Sequence, residues 1–245
     1  FGRQGAAHMG DSPNASLLAG GYLSPTSTYL NYPYGPNMPY STRKGVGCTE
    51  SWDGTSWTEV NDLNTGRSRM GGIGSQNSAL VMGGCYGDLN CSRCTEEWNG
   101  TSWTAVNTLP GQNISNVNAV PNSTVNAGLQ AGGSGAPTGQ GVTPDGSPDA
   151  YPPYEAVPAT NAPSTDRPEC TNVASFDGTN WTSAARMVRG TSAHALGGNL
   201  NNAIAAGGAR DTSPSGVPAC SKFTQFWDYD VWSMGPDTPR DASSI

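Results

Sequence analysis

One pattern recurs four times along the 245 residues: an aromatic residue, a polar turn and a second aromatic. The copies are Trp52-Asp53-Gly54-Thr55-Ser56-Trp57, Trp98-Asn99-Gly100-Thr101-Ser102-Trp103, Phe176-Asp177-Gly178-Thr179-Asn180-Trp181 and the divergent Trp227-Asp228-Tyr229-Asp230-Val231-Trp232. Asp-Gly or Asn-Gly between apolar residues is a strong hairpin signal, because a type I′ turn needs positive φ at both central positions. Each copy therefore predicts a tight β-hairpin with a large aromatic on either strand. A unit that recurs at intervals of about 50 residues governs the architecture of the whole chain.

A second signal keeps step with the first. A short apolar strand ending in Gly-Gly precedes every hairpin: Leu17-Leu18-Ala19-Gly20-Gly21, Leu80-Val81-Met82-Gly83-Gly84, Leu129-Gln130-Ala131-Gly132-Gly133 and Ile204-Ala205-Ala206-Gly207-Gly208. Ahead of most of these lies a small-residue strand introduced by arginine, as with Arg67 before Met70-Gly71-Gly72-Ile73 and Arg189 before Ala193-His194-Ala195-Leu196. Arg-led strand, Gly-Gly strand and two hairpin strands make four short antiparallel strands per unit, the composition of one β-propeller blade. The expected units span roughly 1–60, 61–107, 108–185 and 186–240 of a single domain.

These residues resemble a known repeat. Gly-Gly closing the second strand, an aromatic in the third, Trp in the fourth and Arg before the next unit are similar to kelch-type repeats. The wording Thr95-Glu96-Glu97-Trp98-Asn99-Gly100-Thr101-Ser102-Trp103-Thr104, with Ala79-Leu80-Val81-Met82-Gly83-Gly84 before it, also resembles kelch-like repeats in structural proteins of marine bacteriophages. The resemblance covers nearly all of the chain apart from its long insertions. It implies an all-β, kelch-like propeller of four recognisable four-stranded blades, either a complete small ring or part of a larger one. Within it, Trp52, Trp57, Trp98, Trp103, Phe176, Trp181, Trp227 and Trp232 are expected to pack between blades. Such a fold hosts many functions and decides none of them.

Composition removes several function classes. Charged residues make up 13% of the chain, with Lys44 and Lys222 its only lysines, and the formal charge is −7. That balance lacks the basic footprint of a nucleic-acid binder. No basic amphipathic helix suggests an anionic membrane surface, and no apolar run approaches the ~20 residues of a membrane helix. The chain opens on Phe1 inside a repeat unit and ends in what reads as another Arg-led strand, so a piece processed from a longer polypeptide is expected.

The six cysteines are Cys48, Cys85, Cys91, Cys94, Cys170 and Cys220. An even number at loop–strand junctions suggests disulfides that staple surface loops in an oxidising, extracellular setting. Cys91-Ser92-Arg93-Cys94 has the spacing of half a zinc site, but a second such pair is missing, and disulfides are the preferred reading.

Variation between the units is concentrated after Gly-Gly. The connection from second to third strand grows to residues 22–47 in unit one and 134–169 in unit three, whereas the hairpins stay short. Alternating strand direction should gather every such connection on one side, opposite the Asp-Gly turns. The insertions hold Tyr29, Tyr32, Tyr34 and Tyr40, and then Tyr151 and Tyr154, among many prolines. Tyrosine offers broad amphipathic contact area at low entropic cost, and proline lowers the cost of ordering a loop. These six tyrosines are the candidate binding residues, against the alternative that they anchor the loops to the propeller itself or to a neighbouring subunit.

Catalytic constellations are missing from the sequence. His8 and His194 each follow a strand-leading arginine by five residues, which reads as one repeat position on inner strands near the axis. Some kelch propellers resemble copper-radical galactose oxidases, but the Tyr, His and cross-linked Cys set of those enzymes has no counterpart here. No nucleophile elbow, phosphate loop or dinucleotide fingerprint occurs. The expectation is therefore a non-enzymatic structural or adhesive propeller on a virion surface, without cofactor or metal. It would contact other virion or assembly proteins, with surface glycans as further ligands. A secreted cellular glycan-binding propeller is the alternative, and an oxidase-like enzyme the remote one.

Overall fold

A computed structural model describes residues 3–23, 45–86, 92–111, 114–120, 124–135, 171–210 and 219–239. Unit one supplies β1 (Arg3–Gln4), β2 (Ala7–Ser12), β3 (Ala15–Ala19), β4 (Tyr22–Leu23), β5 (Thr49–Trp52) and β6 (Trp57–Val60). Unit two supplies β7 (Gly71–Ser75), β8 (Ser78–Met82), β9 (Thr95–Trp98) and β10 (Trp103–Val106). In unit three come β11 (Ile114–Ser115), β12 (Asn118–Ala119), β13 (Gly128–Ala131), β14 (Ser134–Gly135), β15 (Val173–Phe176) and β16 (Trp181–Ser183). The fourth unit holds β17 (Ala195–Gly198), β18 (Asn202–Ala206), β19 (Ala209–Arg210), β20 (Ala219–Cys220), β21 (Thr224–Asp228) and β22 (Val231–Met234). The protein is all-β, with no helix among the described residues.

Four antiparallel four-stranded sheets result, ordered β2-β3-β5-β6, β7-β8-β9-β10, β12-β13-β15-β16 and β17-β18-β21-β22. One hairpin rule generates each. The two aromatics of a repeat stand directly opposite across the last strand pair, as Trp52 with Trp57, Trp98 with Trp103, Phe176 with Trp181 and Trp227 with Trp232. Their ring centroids lie 4.9–5.5 Å apart, tilted by 39–44°, within the range where aromatic pairs add to simple burial.

The turns between these aromatics are not type I′. Positive φ is confined to the glycine, at +94° in Gly54, +91° in Gly100 and +96° in Gly178. The preceding Asp or Asn closes the turn with its side chain instead. Asp53 Oδ1 accepts from the N–H groups of Thr55 and Ser56 at 2.8 and 2.9 Å, and Asn99 and Asp177 accept from the matching pairs. These backbone donors hold the Asp53 and Asp177 carboxyls below the usual range. In the divergent fourth copy a single non-glycine residue, Tyr229, adopts φ +56°.

The first strands of the sheets are neighbours in chain order: β2 beside β7, β7 beside β12, and β12 beside β17. Between successive sheets lie three apolar clusters built on one plan. Leu17 of the first sheet packs with Ala79, Trp98 and Trp103 of the second. Leu80 of the second packs with Phe176 and Trp181 of the third. Leu129 of the third packs with Ala203, Trp227 and Trp232 of the fourth. Each interface thus sets the leucine face of one sheet on the aromatic face of the next. At about 25 cal/mol per Å² of apolar surface removed from water, a large side chain buried there contributes roughly 1.5–3 kcal/mol.

Of the eight aromatics expected between units, Trp98, Trp103, Phe176, Trp181, Trp227 and Trp232 are buried. Trp52 is half-buried, and Trp57 is 51% exposed. The reason is positional: a fourth-strand Trp packs against the preceding sheet, and the first sheet has none before it among the described residues.

Candidate functional site

The Gly-Gly pairs do more than end strands. All eight glycines have positive φ: Gly20 and Gly21 (+67° and +106°), Gly83 and Gly84 (+64° and +91°), Gly132 and Gly133 (+65° and +112°), and Gly207 and Gly208 (+70° and +93°). Only glycine takes two such residues in succession without cost. The first N–H of each pair bonds within its own unit, to Cys48 O, Cys94 O, Asn172 O or Phe223 O at 2.9–3.0 Å. The second reaches across: Gly21 N donates to Arg67 O (2.7 Å), Gly84 N to Ile114 O (2.9 Å) and Gly133 N to Thr191 O (3.0 Å). These cross-links bring the starts of successive second-to-third-strand connections side by side.

Four non-equivalent sequences adopt one left-handed position at the entry to the first strand of each sheet. Gly5 (+64°), Arg69 (+60°), Asn116 (+48°) and Ala193 (+49°) all sit two residues before the register position shared by Ala7, Gly71, Asn118 and Ala195. Non-glycine residues there cost roughly 1–2 kcal/mol each, and such conformations cluster at binding sites. Arg69 N donates to Gly5 O at 2.6 Å, and Val117 N to Arg69 O at 3.4 Å, so these residues join sheet to sheet. The next residue, Met70, Val117 or His194, plugs the space over the preceding pair's first glycine. A Cβ on Gly83 would stand 2.6 Å from Val117 Cγ2, and one on Gly132 2.7 Å from His194 Cε1.

The feet of the insertions stand on this same side. β4 leads toward residues 24–44 and pairs with β1; β14 leads toward 136–170 and pairs with β11; β19 and β20 flank 211–218. Ser68 bridges Cys85 just before residues 87–91. The Asp-Gly turns lie at the opposite ends of the sheets, since Trp52 pairs Ser16 whereas Thr49 pairs Ala19. Near the first foot, Tyr22 Oη donates to Gln4 Oε1 at 2.7 Å, and the Arg69 guanidinium lies 5.7 Å from the Tyr22 ring centre. The described part of this side therefore carries amide, hydroxyl and guanidinium groups, a chemistry of hydrogen bonding. Tyr29, Tyr32, Tyr34, Tyr40, Tyr151 and Tyr154 fall outside the described residues.

Cys48 and Cys94 depart from the disulfide expectation. Cys48 and Cys94 are free thiols, and neither is bridged. They occupy matching positions on two different sheets, where each carbonyl accepts the first glycine's N–H, and Cys94 Sγ also lies 3.3 Å from Tyr86 Oη. Burial and that contact push the Tyr86 phenol upward. Cys85 is fully buried. Cys91 and Cys170 lie outside the described residues, and Cys220 is described only as part of β20. No group of three metal-ligating side chains forms among the described residues.

The two histidines are not equivalent. His8 pairs Leu18 within β2 and is exposed, whereas His194 precedes β17 and is 4% exposed. The offset arises because Thr191, not Arg189, stands where Arg3 and Arg67 stand relative to the first strand. Arg189 instead stacks over the Phe223 ring at 4.0 Å. His194 Nδ1 lies 3.2 Å from Asn118 Nδ2, and burial lowers its pKa to about 4.

Sequence reasoning missed two features. The left-handed entry positions escaped because only Gly5 betrays its φ; the visible clue is a serine just before Arg69, Asn116 and Ala193. The second is what the leading arginines do. Arg67 is fully buried and bonds Glu96 Oε1 at 2.6 Å, while Glu96 Oε2 accepts from Asn64 N and Nδ2 at 2.8 and 2.9 Å. Arg3 pairs likewise with Glu50 and donates to Cys48 O, and burial lowers its pKa. Glu50 and Glu96 share a register, two residues before the third-strand Trp.

No family model matches the chain, and no curated protein is similar to it in sequence. Among solved structures it is similar in fold to the protein titled YjhT, with a TM-score of 0.68 at 11% identity, over 98% of this chain and 72% of that one. At that identity the likeness concerns the fold alone.

Proposed function

We propose that the chain is an arc of kelch-type propeller blades serving as a non-enzymatic structural and adhesive module on a virion surface, as fibre or decoration. The observation that carries this reading is the common side from which all four second-to-third-strand connections depart, two of them long and tyrosine-rich. Binding residues concentrate on loops that a rigid scaffold positions. The buried ion pairs and the neutral His194 are accounted for by packing, which leaves the insert side as the place for contact. Its ligands are neighbouring virion proteins or host-surface glycans, recognised by tyrosine faces and backbone amides.

The test is a double replacement, Tyr32→Ala with Tyr34→Ala, assayed against purified particle components and a glycan array. Loss of binding with an unchanged melting temperature supports the reading. Unchanged binding to every partner removes that loop from the contact, and stoichiometric copper in the purified protein would overturn the non-enzymatic assignment.

A further inference from the structure

Three of the four hairpin turns are closed alike, yet unit two alone spells its turn with asparagine before glycine. Asn99-Gly100 is the single Asn-Gly pair in the chain, and units one and three place Asp53 and Asp177 at the same step after the third-strand aromatic. Asn99 is exposed, and its Oδ1 accepts from Thr101 N at 3.0 Å and from Ser102 N at 2.9 Å. Gly100 N–H makes none of the turn's hydrogen bonds. Gly100 also holds φ at +91°, where an L side chain is strained, so the turn requires glycine after the asparagine.

An asparagine amide next to glycine carries its own reaction. The backbone nitrogen that follows an asparagine can close a five-membered ring on Cγ. A side chain on the following residue crowds that nitrogen, and glycine has none. As Gly100 N attacks Asn99 Cγ, negative charge develops on Oδ1, where two backbone N–H groups already point. Donors fixed on a developing oxyanion lower the barrier without reorganisation. Asn199 is the internal comparison. It is exposed too, and its Oδ1 accepts from Asn201 N at 2.9 Å and Asn202 N at 3.0 Å, but Leu200 follows it.

We propose that Asn99 is a site of spontaneous covalent modification, at which the turn of unit two converts itself to the aspartate turn of units one and three. Gly100 N gives its proton to solvent hydroxide and bonds Asn99 Cγ. The Cγ–Nδ2 bond breaks, and Nδ2 takes up a proton and leaves as ammonia. Water then opens the succinimide: addition at Cγ yields aspartate, and addition at the backbone carbonyl yields an isoaspartyl link. No electrons are transferred, and water is the sole co-reactant. The aspartate product fits the turn as it stands. Asp53 and Asp177 accept the same pair of N–H groups, which hold their carboxyls below the usual range. The isoaspartyl product instead lengthens the backbone between Trp98 and Trp103, whose ring centroids stand 5.3 Å apart, and so disturbs the 3.2 Å bond from Trp103 Nε1 to Thr49 Oγ1. The inference rests on the hairpin and is independent of the virion reading.

Incubating the folded 245-residue chain at neutral and at mildly alkaline pH, followed by proteolytic mapping and mass spectrometry, tests this. Asn99 should exchange its amide for an acid about 10-fold or more faster than Asn199, a small barrier difference by transition-state arithmetic. The exchange should quicken at the higher pH, because the attacking nitrogen must lose a proton, and ammonia should appear in step with the acid. Asn99→Asp, which supplies the product directly, should melt no lower than the parent protein. Isoaspartyl protein purified from the mixture should melt lower than Asn99→Asp. A folded chain that keeps the Asn99 amide overturns the inference, whatever the urea-unfolded chain does. Equal loss at Asn99 and Asn199 overturns the part assigned to Gly100. An Asn99→Asp protein that melts below the parent overturns the fit of the product.

Discussion

Lowering the pH should destabilise this protein through His194. The ring is buried between the third and fourth sheets, and desolvation takes its pKa down to about 4, an effect that Thr191 partly offsets. An amide nitrogen has only hydrogens to offer, so the 3.2 Å contact with Asn118 Nδ2 makes Nδ1 the acceptor and puts the proton on Nε2, which has no partner. A second proton, on Nδ1, would face Asn118's donor. The folded pKa lies below the unfolded value of 6.5, so the contribution to stability is complete above pH 6.5 and is lost as pH falls toward 4. The shift corresponds to a loss of about 2 kcal/mol by pH 5 and about 3 kcal/mol by pH 4. Met70 and Val117 fill the equivalent positions, so His194→Met keeps the plug and removes the titration. Urea unfolding of both proteins at pH 7, 5 and 4 isolates the histidine, because the remaining groups are common to both. Identical pH dependence in the two proteins would refute the reasoning.

Two further substitutions probe the interfaces. Glu96→Ala leaves the Arg67 guanidinium buried without its counter-charge and should cost about 3–5 kcal/mol, read as a fall in melting temperature; a loss below 1 kcal/mol would mean that the pair is solvated. Val173 occupies the register of Thr49, and across that interface Trp232 Nε1 is buried without an acceptor; in the middle interface the matching Thr95 Oγ1 and Trp181 Nε1 are both buried unbonded, so Val173→Thr should bury another unmet hydroxyl and lose about 1–3 kcal/mol in denaturant unfolding, and a gain would contradict this.

Strand pattern was legible because hairpin aromatics and diglycines are chemically obligatory at their positions. Opposed aromatics need a short turn, and two consecutive left-handed residues need glycine. The turn type was misread for a physical reason: Asp53, Asn99 and Asp177 cap backbone N–H groups with their side chains, so they need no positive φ of their own. Counting from the nearest arginine placed His194 at the register of His8, but the fourth unit has slipped its arginine two residues outward to stack on Phe223. Trp57 could not be separated from its buried counterparts, because exposure there depends on which sheet comes first and not on local sequence. The insert tyrosines were visible as a composition shift and fall outside the described residues; the sheets fix only the side from which the described feet of those connections depart.

The first three diglycines leave the satisfaction of their second amides to the following unit, and each of the three interfaces sets a leucine face on an aromatic face. The joints thus share one plan. Gene duplication or loss of one whole module leaves every remaining joint matched, whereas a break inside a module strands a donor and bares a ring. Size in such a lineage should change in whole-module steps, with the tolerated irregularity confined to the connections between second and third strands.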